Sequence, residues 1–232
     1  MLIRTFEHEP FEGPANIEAW AAKRGHTMVR TFLHAGDALP QTPDYDMLVV
    51  MGGGMSVHDE LQFPWMREEK ECLKQAVARG RSVLGVCLGA QMLSEALGGC
   101  VCQGRHREIG WHPVRLTPWA ATNPAFAGLP RQFMGFHWHG ETFSIPRGAN
   151  LLAESDACAH QAFAVGAKLV GVQFHFETTM ESMEQFLSAA GDDLAPGDYV
   201  QTAAQMREGA ARHMAALEGM LFRLLDNMAR EI

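Results

Sequence analysis

The chain has 232 residues, of which 47% are hydrophobic and 20% charged, and 27 acidic residues outweigh 19 basic ones to give a net charge of −8. This composition is typical of one globular α/β domain with a substantial core. The acidic balance and the lack of a Lys/Arg cluster in the sequence argue against a nucleic-acid partner, which would require a basic face.

The most apolar window, residues 83–102, contains the polar residues Gln91, Ser94 and Glu95. It therefore predicts a strand, a helix and a strand instead of a membrane span. The five cysteines have no regular spacing, and residues 1–6 do not resemble a signal peptide. We expect reduced thiols, a cytoplasmic location and no membrane partner.

The first hundred residues alternate between short apolar strands and helices. Strands are predicted at 2–6, 27–33, 47–51 and 82–86, and helices at 15–24, 63–79 and about 89–97. This alternation predicts a parallel, doubly wound sheet with helices on both faces.

Beyond residue 99 the predicted strands are short and separated by turns. They lie at 100–103, 110–117, 132–136, 142–145, 150–154 and 161–165. We expect antiparallel additions or a small second sheet, with segment 168–174 returning to the main sheet. A helix is predicted to begin near Thr178 or Thr179. A loop at 191–197 then precedes a helix at about 199–230, whose Met-rich apolar stripe suits the core or a dimer face.

Cys87 stands between a buried strand and a helix and is flanked by Gly85 and Gly89. A strand that turns directly into a helix needs small residues two positions to either side, so the segment is predicted to be a nucleophile elbow with Cys in place of Ser. The helix N-terminus carries partial positive charge, which favours the thiolate.

His175 and Glu177 follow the predicted strand 168–174 and could complete a hydrolytic site with Cys87. Residues i and i+2 of an extended backbone face the same side, so the Glu177 carboxylate can accept a hydrogen bond from one imidazole nitrogen. The other nitrogen is then left for the thiol.

Three glycines at 52–54 follow the predicted strand 47–51 and allow backbone N–H groups to point towards a developing oxyanion. Each signal also has a structural alternative: an inert core cysteine, a structural histidine, or a phosphate-binding loop. Residues 52–54 lack both the G-x-G-x-x-G spacing and the Lys-Ser/Thr of a P-loop. The joint occurrence of the three signals at strand ends favours catalysis.

Gly-Val-Cys-Leu-Gly-Ala-Gln at 85–91, Gly-Gly-Gly at 52–54 and Gln-Phe-His-Phe-Glu at 173–177 together resemble the class I (triad) glutamine amidotransferase domains. The resemblance covers about residues 1–190. It implies a flavodoxin-like α/β fold, with residues 191–232 forming a helical extension packed on the same domain. It also implies cleavage of the glutamine γ-amide through a cysteine-linked γ-glutamyl thioester, releasing ammonia and glutamate, and no cofactor.

Carried over to this chain, the resemblance implies that Cys87 is the nucleophile, His175 the base and then the acid, and Glu177 the group that orients His175. The backbone amides of Gly53 and Leu88 would form the oxyanion hole.

Three further residues would bind substrate by the same resemblance. Gln91, one helical turn past the nucleophile, corresponds to the family's substrate-holding glutamine. The backbone near Trp138 and His139, within His-Trp-His-Gly-Glu at 137–141, would hold the glutamine α-amino and carboxylate groups.

Two positions depart from the family pattern. Phe176 and Gly54 stand where the family often has proline, and a third glycine leaves the oxyanion loop with more backbone freedom. Other motifs, such as Glu-Ile-Gly-Trp at 108–111, are most similar to stand-alone members, including γ-glutamyl peptidase-like proteins and relatives of the GMP synthase glutaminase.

Alternatives remain open at this stage. A stand-alone γ-glutamyl peptidase needs only water, whereas a glutaminase needs a synthase partner to use its ammonia; a homodimer and a non-catalytic regulator are further possibilities. His137 and His139, with His106 and His112, are conceivable metal ligands, but no spaced partner set stands out, and we expect no metal. Cys100 and Cys102 are expected to pack in the core.

Overall fold

The structure, a computed structural model, describes residues 1–191 and 194–232. Residues 192 and 193, part of the predicted loop 191–197, lie outside the described residues. The strands are β1 (Leu2–Glu7), β2 (Thr27–Phe32), β3 (Met47–Val50), β4 (Ser82–Val86), β5 (Val101–Leu116), β6 (Gln132–Phe143), β7 (Asn150–Glu154), β8 (Ala162–Val165) and β9 (Leu169–Val172). The helices are α1 (Asn16–Lys23), α2 (Trp65–Ala78), α3 (Leu88–Ala96), α4 (Met180–Ala189) and α5 (Ala203–Ala229).

The strands form one sheet in the order β2-β1-β3-β4-β9-β8-β7-β5-β6. The first five are parallel neighbours, and the remaining pairs are antiparallel. The parallel half is the flavodoxin-like α/β fold, with strand order 2-1-3-4 and β9 as the fifth strand. Antiparallel strands extend this same sheet, so the alternative of a small second sheet is wrong for the described residues.

The topology explains where functional side chains gather. Strands β1, β3, β4 and β9 run parallel, so the residues that follow each of them emerge at the same carboxyl edge. In open α/β sheets this edge is where ligands bind. It carries the loops that begin at His8, Gly52, Cys87 and Gln173.

The four short strands predicted between residues 100 and 145 are in fact two long ones. Strands β5 and β6 form a hairpin whose register runs from Val101 opposite Phe143 to Arg115 opposite Gln132, with an irregularity between Gln103 and Glu108. The first half of β5 is largely exposed, so its polar residues resemble a turn in sequence. Cys102 lies on this exposed part and Cys100 precedes the strand; both are exposed, so the prediction that they pack in the core is wrong.

Helix α5 begins at Ala203 and not near residue 199, because the Thr202 side chain caps it in a reciprocal arrangement with Gln205. The predicted apolar stripe is confirmed as part of the core: Met206, Leu217, Leu221, Leu224 and Leu225 are buried in the cluster that contains the sheet. Within the described residues, no helix is both long and apolar enough to cross a membrane.

Candidate active site

The Cys87 corner is as tight as the sequence predicts. Cys87 has a φ of 50°, a value that L-residues rarely adopt, and directly precedes the first residue of α3. A side chain on Gly89 would collide with the Val50 carbonyl, and one on Gly85 would collide with the Gly89 carbonyl. These contacts require α3 to pack closely against β3 and β4, so Cys87 is held at the N-terminus of the helix.

His175 and Glu177 form a buried pair beside this corner. The two residues are 1% and 4% exposed, and His175 Nδ1 lies 2.7 Å from Glu177 Oε1. Phe186 packs edge-on against the imidazole at 5.3 Å between ring centroids, which fixes the ring plane. The predicted contact is present, but the extended backbone assumed for it is wrong: β9 ends at Val172, and residues 176 and 177 form a turn that brings the two side chains together.

Electrostatics at His175 favour the imidazolium. Burial alone would lower its pKa, but the charge and hydrogen bond of Glu177 and the nearby Cys87 sulfur outweigh burial and hold the pKa well above its ordinary value. Among the described residues, Nε2 has no conventional hydrogen-bond partner. That nitrogen is therefore available to exchange a proton with the sulfur or with a group bound to it.

The side chains of Gln173 and Gln91 form a chain of polar contacts that ends at the Cys87 thiol. Gln173 Nε2 lies 3.5 Å from Cys87 Sγ, and its Oε1 accepts a hydrogen bond of 3.3 Å from Gln91 Nε2. The predicted Gln91 thus lies at the cavity and holds Gln173. Sequence reasoning assigned Gln173 no role, although an amide ending an apolar strand two residues before His175 is a usable signal.

The buried pair His8 and Glu69 holds the glycine loop 52–54 through the Gly52 carbonyl. His8 Nδ1 donates to the Gly52 carbonyl at 2.9 Å, and its Nε2 lies 2.8 Å from Glu69 Oε1. Although burial by itself lowers it, the pKa of His8 is raised by the Glu69 carboxylate and its hydrogen bond. Gly53 lines the cavity and Leu88 is the first residue of α3; their oxyanion role stays a prediction.

A cavity of about 450 Å³ opens above Cys87. The Trp138 carbonyl is 3.8 Å from Cys87 Sγ, and Trp138 and His139 both line the cavity. The His139 ring points away towards Glu108, 3.1 Å from Nε2 to Oε2, so the predicted substrate contact is left to the backbone. The cavity is lined by Phe11, Glu12, Gly53, Gly54, Met55, Ser56, Asp59, Cys87, Gln91, Gln103, Arg107, Trp138, His139, Gly140, Glu141, Phe186 and Ala190.

Glu12 is a cavity residue that sequence reasoning missed. It follows β1, is 7% exposed, and its Oε2 has no hydrogen-bond partner within the described part of the chain. A Cβ on Gly52 would overlap Oε2 and lie 3.2 Å from His175 Cε1, so the carboxyl group lies beside the His175 ring. Burial, opposed by the charge of His175 and aided by that of Glu177, raises the pKa of Glu12 to about 7. An acidic residue following a strand at this sheet edge was the available signal.

Glu12→Gln is expected to change how stability depends on pH. The folded-state pKa of about 7 lies above the ordinary value of 4.5, so the native protein holds this proton longer than the unfolded chain does. Glu12 therefore costs no stability below pH 4.5, and its ionisation destabilises the fold as the pH rises to 7, by roughly 3 kcal/mol at most. Melting temperatures measured from pH 4.5 to 8 should fall less in Glu12→Gln than in the wild type. Parallel curves would contradict the raised pKa, and Glu9→Gln in the same loop is the matched control.

The histidines considered as metal ligands separate into two groups. His106 packs edge-on against the ring of Tyr199, and the His112 ring contacts the Ile109 carbonyl at 3.1 Å. His137 and His139 instead converge on Glu108. The pair at 137 and 139 is thus joined by a carboxylate that sequence reasoning did not include.

The fold and the buried corner define a flavodoxin-like α/β protein with a cysteine and a histidine–glutamate pair at the carboxyl edge of its sheet. The family described as glutamine amidotransferase class-I matches residues 17–191. The glutamine amidotransferase-like protein YfeJ of Salmonella typhimurium is 34% identical over 235 residues, covering 98% of this chain and 97% of that protein. The glutamine-hydrolyzing GMP synthase of Thermomicrobium roseum is 36% identical over 134 residues, which cover 56% of this chain but 23% of the synthase.

Solved structures of glutamine amidotransferases are also similar to this chain. A glutamine amidotransferase from Thermotoga maritima superposes with a TM-score of 0.90 at 29% identity, covering 98% of this chain and 97% of that one. One from Methylobacillus flagellatus gives 0.91 at 28% identity, covering 98% and 94%. The chain belongs to the class-I glutamine amidotransferase family.

Proposed function

We propose that the protein cleaves the γ-amide of glutamine by covalent catalysis at Cys87. The observation that carries the proposal is the 2.7 Å contact between His175 Nδ1 and Glu177 Oε1, buried beside a cysteine at the floor of a cavity. A carboxylate that holds one imidazole nitrogen leaves the other for the thiol. Family membership supports the choice of an amide of glutamine.

The proposed reaction has two halves. The Cys87 thiolate attacks the γ-carbonyl carbon, and the oxyanion is stabilised by the amides of Gly53 and Leu88. His175 Nε2 donates its proton to the departing nitrogen, so ammonia leaves and a γ-glutamyl thioester remains. His175 then removes a proton from water, the hydroxide attacks the thioester, and glutamate leaves as the thiolate and imidazolium are restored.

Residues that line the cavity would orient the substrate. In this proposal, Gln91 and the backbone near Trp138 and His139 hold the α-amino and carboxylate groups, as the family resemblance implies. All three residues line the cavity. A synthase that consumes the ammonia is the partner this reaction calls for, and some relatives are glutamine-hydrolyzing GMP synthases.

One observation favours a second candidate, a γ-glutamyl peptidase. Glu12 places a carboxyl group beside His175 and in the cavity. A γ-glutamyl conjugate carries a substituent on its γ-amide nitrogen that glutamine lacks, and a carboxyl group in the cavity can accept a hydrogen bond from a donor on that substituent. In this reaction the same thioester forms, but an amine leaves in place of ammonia.

Substrate panels distinguish the candidates. We would incubate the protein with glutamine and with γ-glutamyl peptides, and follow ammonia, glutamate and free amine, with Cys87→Ala in parallel. A glutamine analogue carrying an electrophilic ketone should add its mass to the wild type and not to Cys87→Ala. Absence of both turnover and labelling would refute the proposal in favour of a non-catalytic role. Labelling without turnover of glutamine would indicate that a synthase partner is needed.

Glu177→Gln is expected to lower the turnover rate by roughly 10²- to 10⁴-fold, a smaller loss than that caused by Cys87→Ala. Glutamine keeps the volume and can still accept from Nδ1, but it lacks the charge that raises the pKa of His175. The limb of the pH–rate profile that reports the His175 imidazolium should therefore move to lower pH. Glu181→Gln removes an exposed carboxylate four residues on and serves as control. A loss equal to that of Cys87→Ala would show that Glu177 is also required structurally.

A further inference from the structure

Three side chains of the β5–β6 hairpin meet in the interior, away from the cavity lining except at His139. Glu108, His137 and His139 are 0%, 0% and 7% exposed. Glu108 Oε2 lies 3.1 Å from His139 Nε2 and 3.5 Å from His137 Nδ1. One ligand-type atom from each residue lies within 4.8 Å of the others. The hairpin register brings them together, because Glu108 pairs with His139 across the strands.

His137 is anomalous in this cluster. It is fully buried, yet neither ring nitrogen has a hydrogen-bond partner in the described parts of the chain. A buried polar group left unpaired costs about 1–3 kcal/mol, and native structures seldom tolerate two on one side chain. The two nitrogens therefore call for partners beyond the described protein groups, and a metal ion or water can supply them.

His139 is held in the tautomer that presents a lone pair to the cluster. Its Nδ1 faces the Glu141 carbonyl at 3.0 Å, which can only accept, so Nδ1 carries the hydrogen. The neutral ring then points the lone pair of Nε2 at the Glu108 carboxylate. Two acceptors facing each other require a cation between them, which is either a proton or a metal ion. A backbone carbonyl that fixes the tautomer of a ligating histidine is a usual supporting contact in metal sites.

Glu108 is fixed in the same manner. Ser155 Oγ and Gln161 Nε2 donate to its Oε2 at 3.1 and 2.6 Å, while Oε1 has no partner among residues 1–191 and 194–232. These two donors orient the carboxylate with Oε2 towards the imidazoles, as neighbours of a ligating carboxylate do, so Oε2 is the candidate ligand atom.

We propose that Glu108, His137 and His139 bind a divalent transition-metal ion, zinc by the chemistry of the donors. Two imidazoles and one carboxylate form a common zinc ligand set, with bonds of about 2.0–2.2 Å. Tetrahedral bonds of that length separate ligand atoms by about 3.3 Å. The contacts of 3.1 and 3.5 Å already match this spacing.

The site is structural, since its ligands are buried beneath the cavity wall. A metal ion there ties β5 to β6 directly behind Trp138, whose carbonyl lies 3.8 Å from Cys87 Sγ. It would hold the wall of the cavity against the thiol without taking part in chemistry.

The rival occupant is a proton shared between His139 and Glu108. It would satisfy those two residues but leave both nitrogens of His137 unpaired. Metal content decides between the two, independently of whether the protein turns over glutamine.

Untagged protein, dialysed and analysed by elemental mass spectrometry, is expected to hold one zinc per chain. Protein refolded with Co²⁺ should show the intense visible absorption of a tetrahedral site. His137→Gln should weaken metal affinity about 100-fold or more and abolish the band, because it removes a ligand. This variant breaks no protein hydrogen bond, so it should fold. His112→Gln, whose ring centroid is 5.9 Å from that of His137, is the matched control and should keep the metal.

Two results would overturn the proposal. One is wild-type protein that binds neither zinc nor cobalt beyond a trace and whose melting temperature is unchanged by added zinc. The other is equal metal binding by the wild type and His137→Gln, which would place the ion elsewhere.

Discussion

Cys87→Gly is expected to abolish turnover while raising the melting temperature. Loss of the nucleophile should lower kcat by about 10⁴-fold or more, since little catalysis survives without covalent chemistry. The φ of 50° at Cys87 is strained for any residue with a Cβ, at a cost of roughly 1–3 kcal/mol. Glycine removes that strain but adds about 0.5–1 kcal/mol of unfolded-state entropy. The net gain of about 1 kcal/mol corresponds to an increase of roughly 2–4 °C.

Cys87→Ser separates the two effects. Serine retains the Cβ and the strain, so its melting temperature should stay near that of the wild type, while its hydroxyl, which ionises far less readily, leaves turnover as low as in the glycine variant. Calorimetry and the ammonia assay give both readouts on the same samples. A glycine variant that melts below the serine variant would show that the corner is not strained.

Gly89→Ala is expected to prevent stable folding. The added methyl group would collide with the Val50 carbonyl carbon and oxygen, which belong to a central strand and cannot rotate away. The Gly89 amide also donates to the Met51 carbonyl at 3.1 Å, so moving α3 outward breaks a contact that positions the glycine loop. We expect a loss of more than about 4 kcal/mol, measured by urea denaturation, or insoluble protein.

Gly219→Ala is the matched control, because it makes the same chemical change on an exposed helical position. A Cβ at Gly219 meets no described atom within 4 Å. This substitution should stabilise the protein by about 0.5–1 kcal/mol through helix propensity alone. A Gly89→Ala protein that unfolds at the wild-type urea concentration would contradict the close packing of α3 on β3.

Local patterns predicted the parallel half of the fold well. Strands β1 to β4 carry apolar runs bounded by turn residues, and Cys87 has a glycine two positions to either side. These strands and the Cys87 corner are therefore encoded by residues that are close together in the sequence. The pairing of His175 with Glu177 was also expected from their spacing, although a turn after β9 and not extended chain sets it.

Contacts between distant segments were not accessible in the same way. Glu108 meets His139 only because β5 and β6 form one continuous hairpin, whose exposed polar stretch looked like a turn. Glu12 reaches His175 through the topology that places the ends of β1 and β9 at one edge of the sheet. Hydrophobic periodicity reports neither cross-strand register nor the burial of a single carboxylate.

Because of the position of β9, the Cys87 site can assemble only when the fold is complete. β9 inserts between β4 and β8, and the Cys87 amide donates to the Val172 carbonyl at 2.8 Å across that junction. During synthesis Cys87 leaves the ribosome 88 residues before His175, and pairing over that separation is a late event in folding. In a partly made chain Cys87 therefore stands without His175 and Glu177, and the proposed site is complete only when β9 joins the sheet.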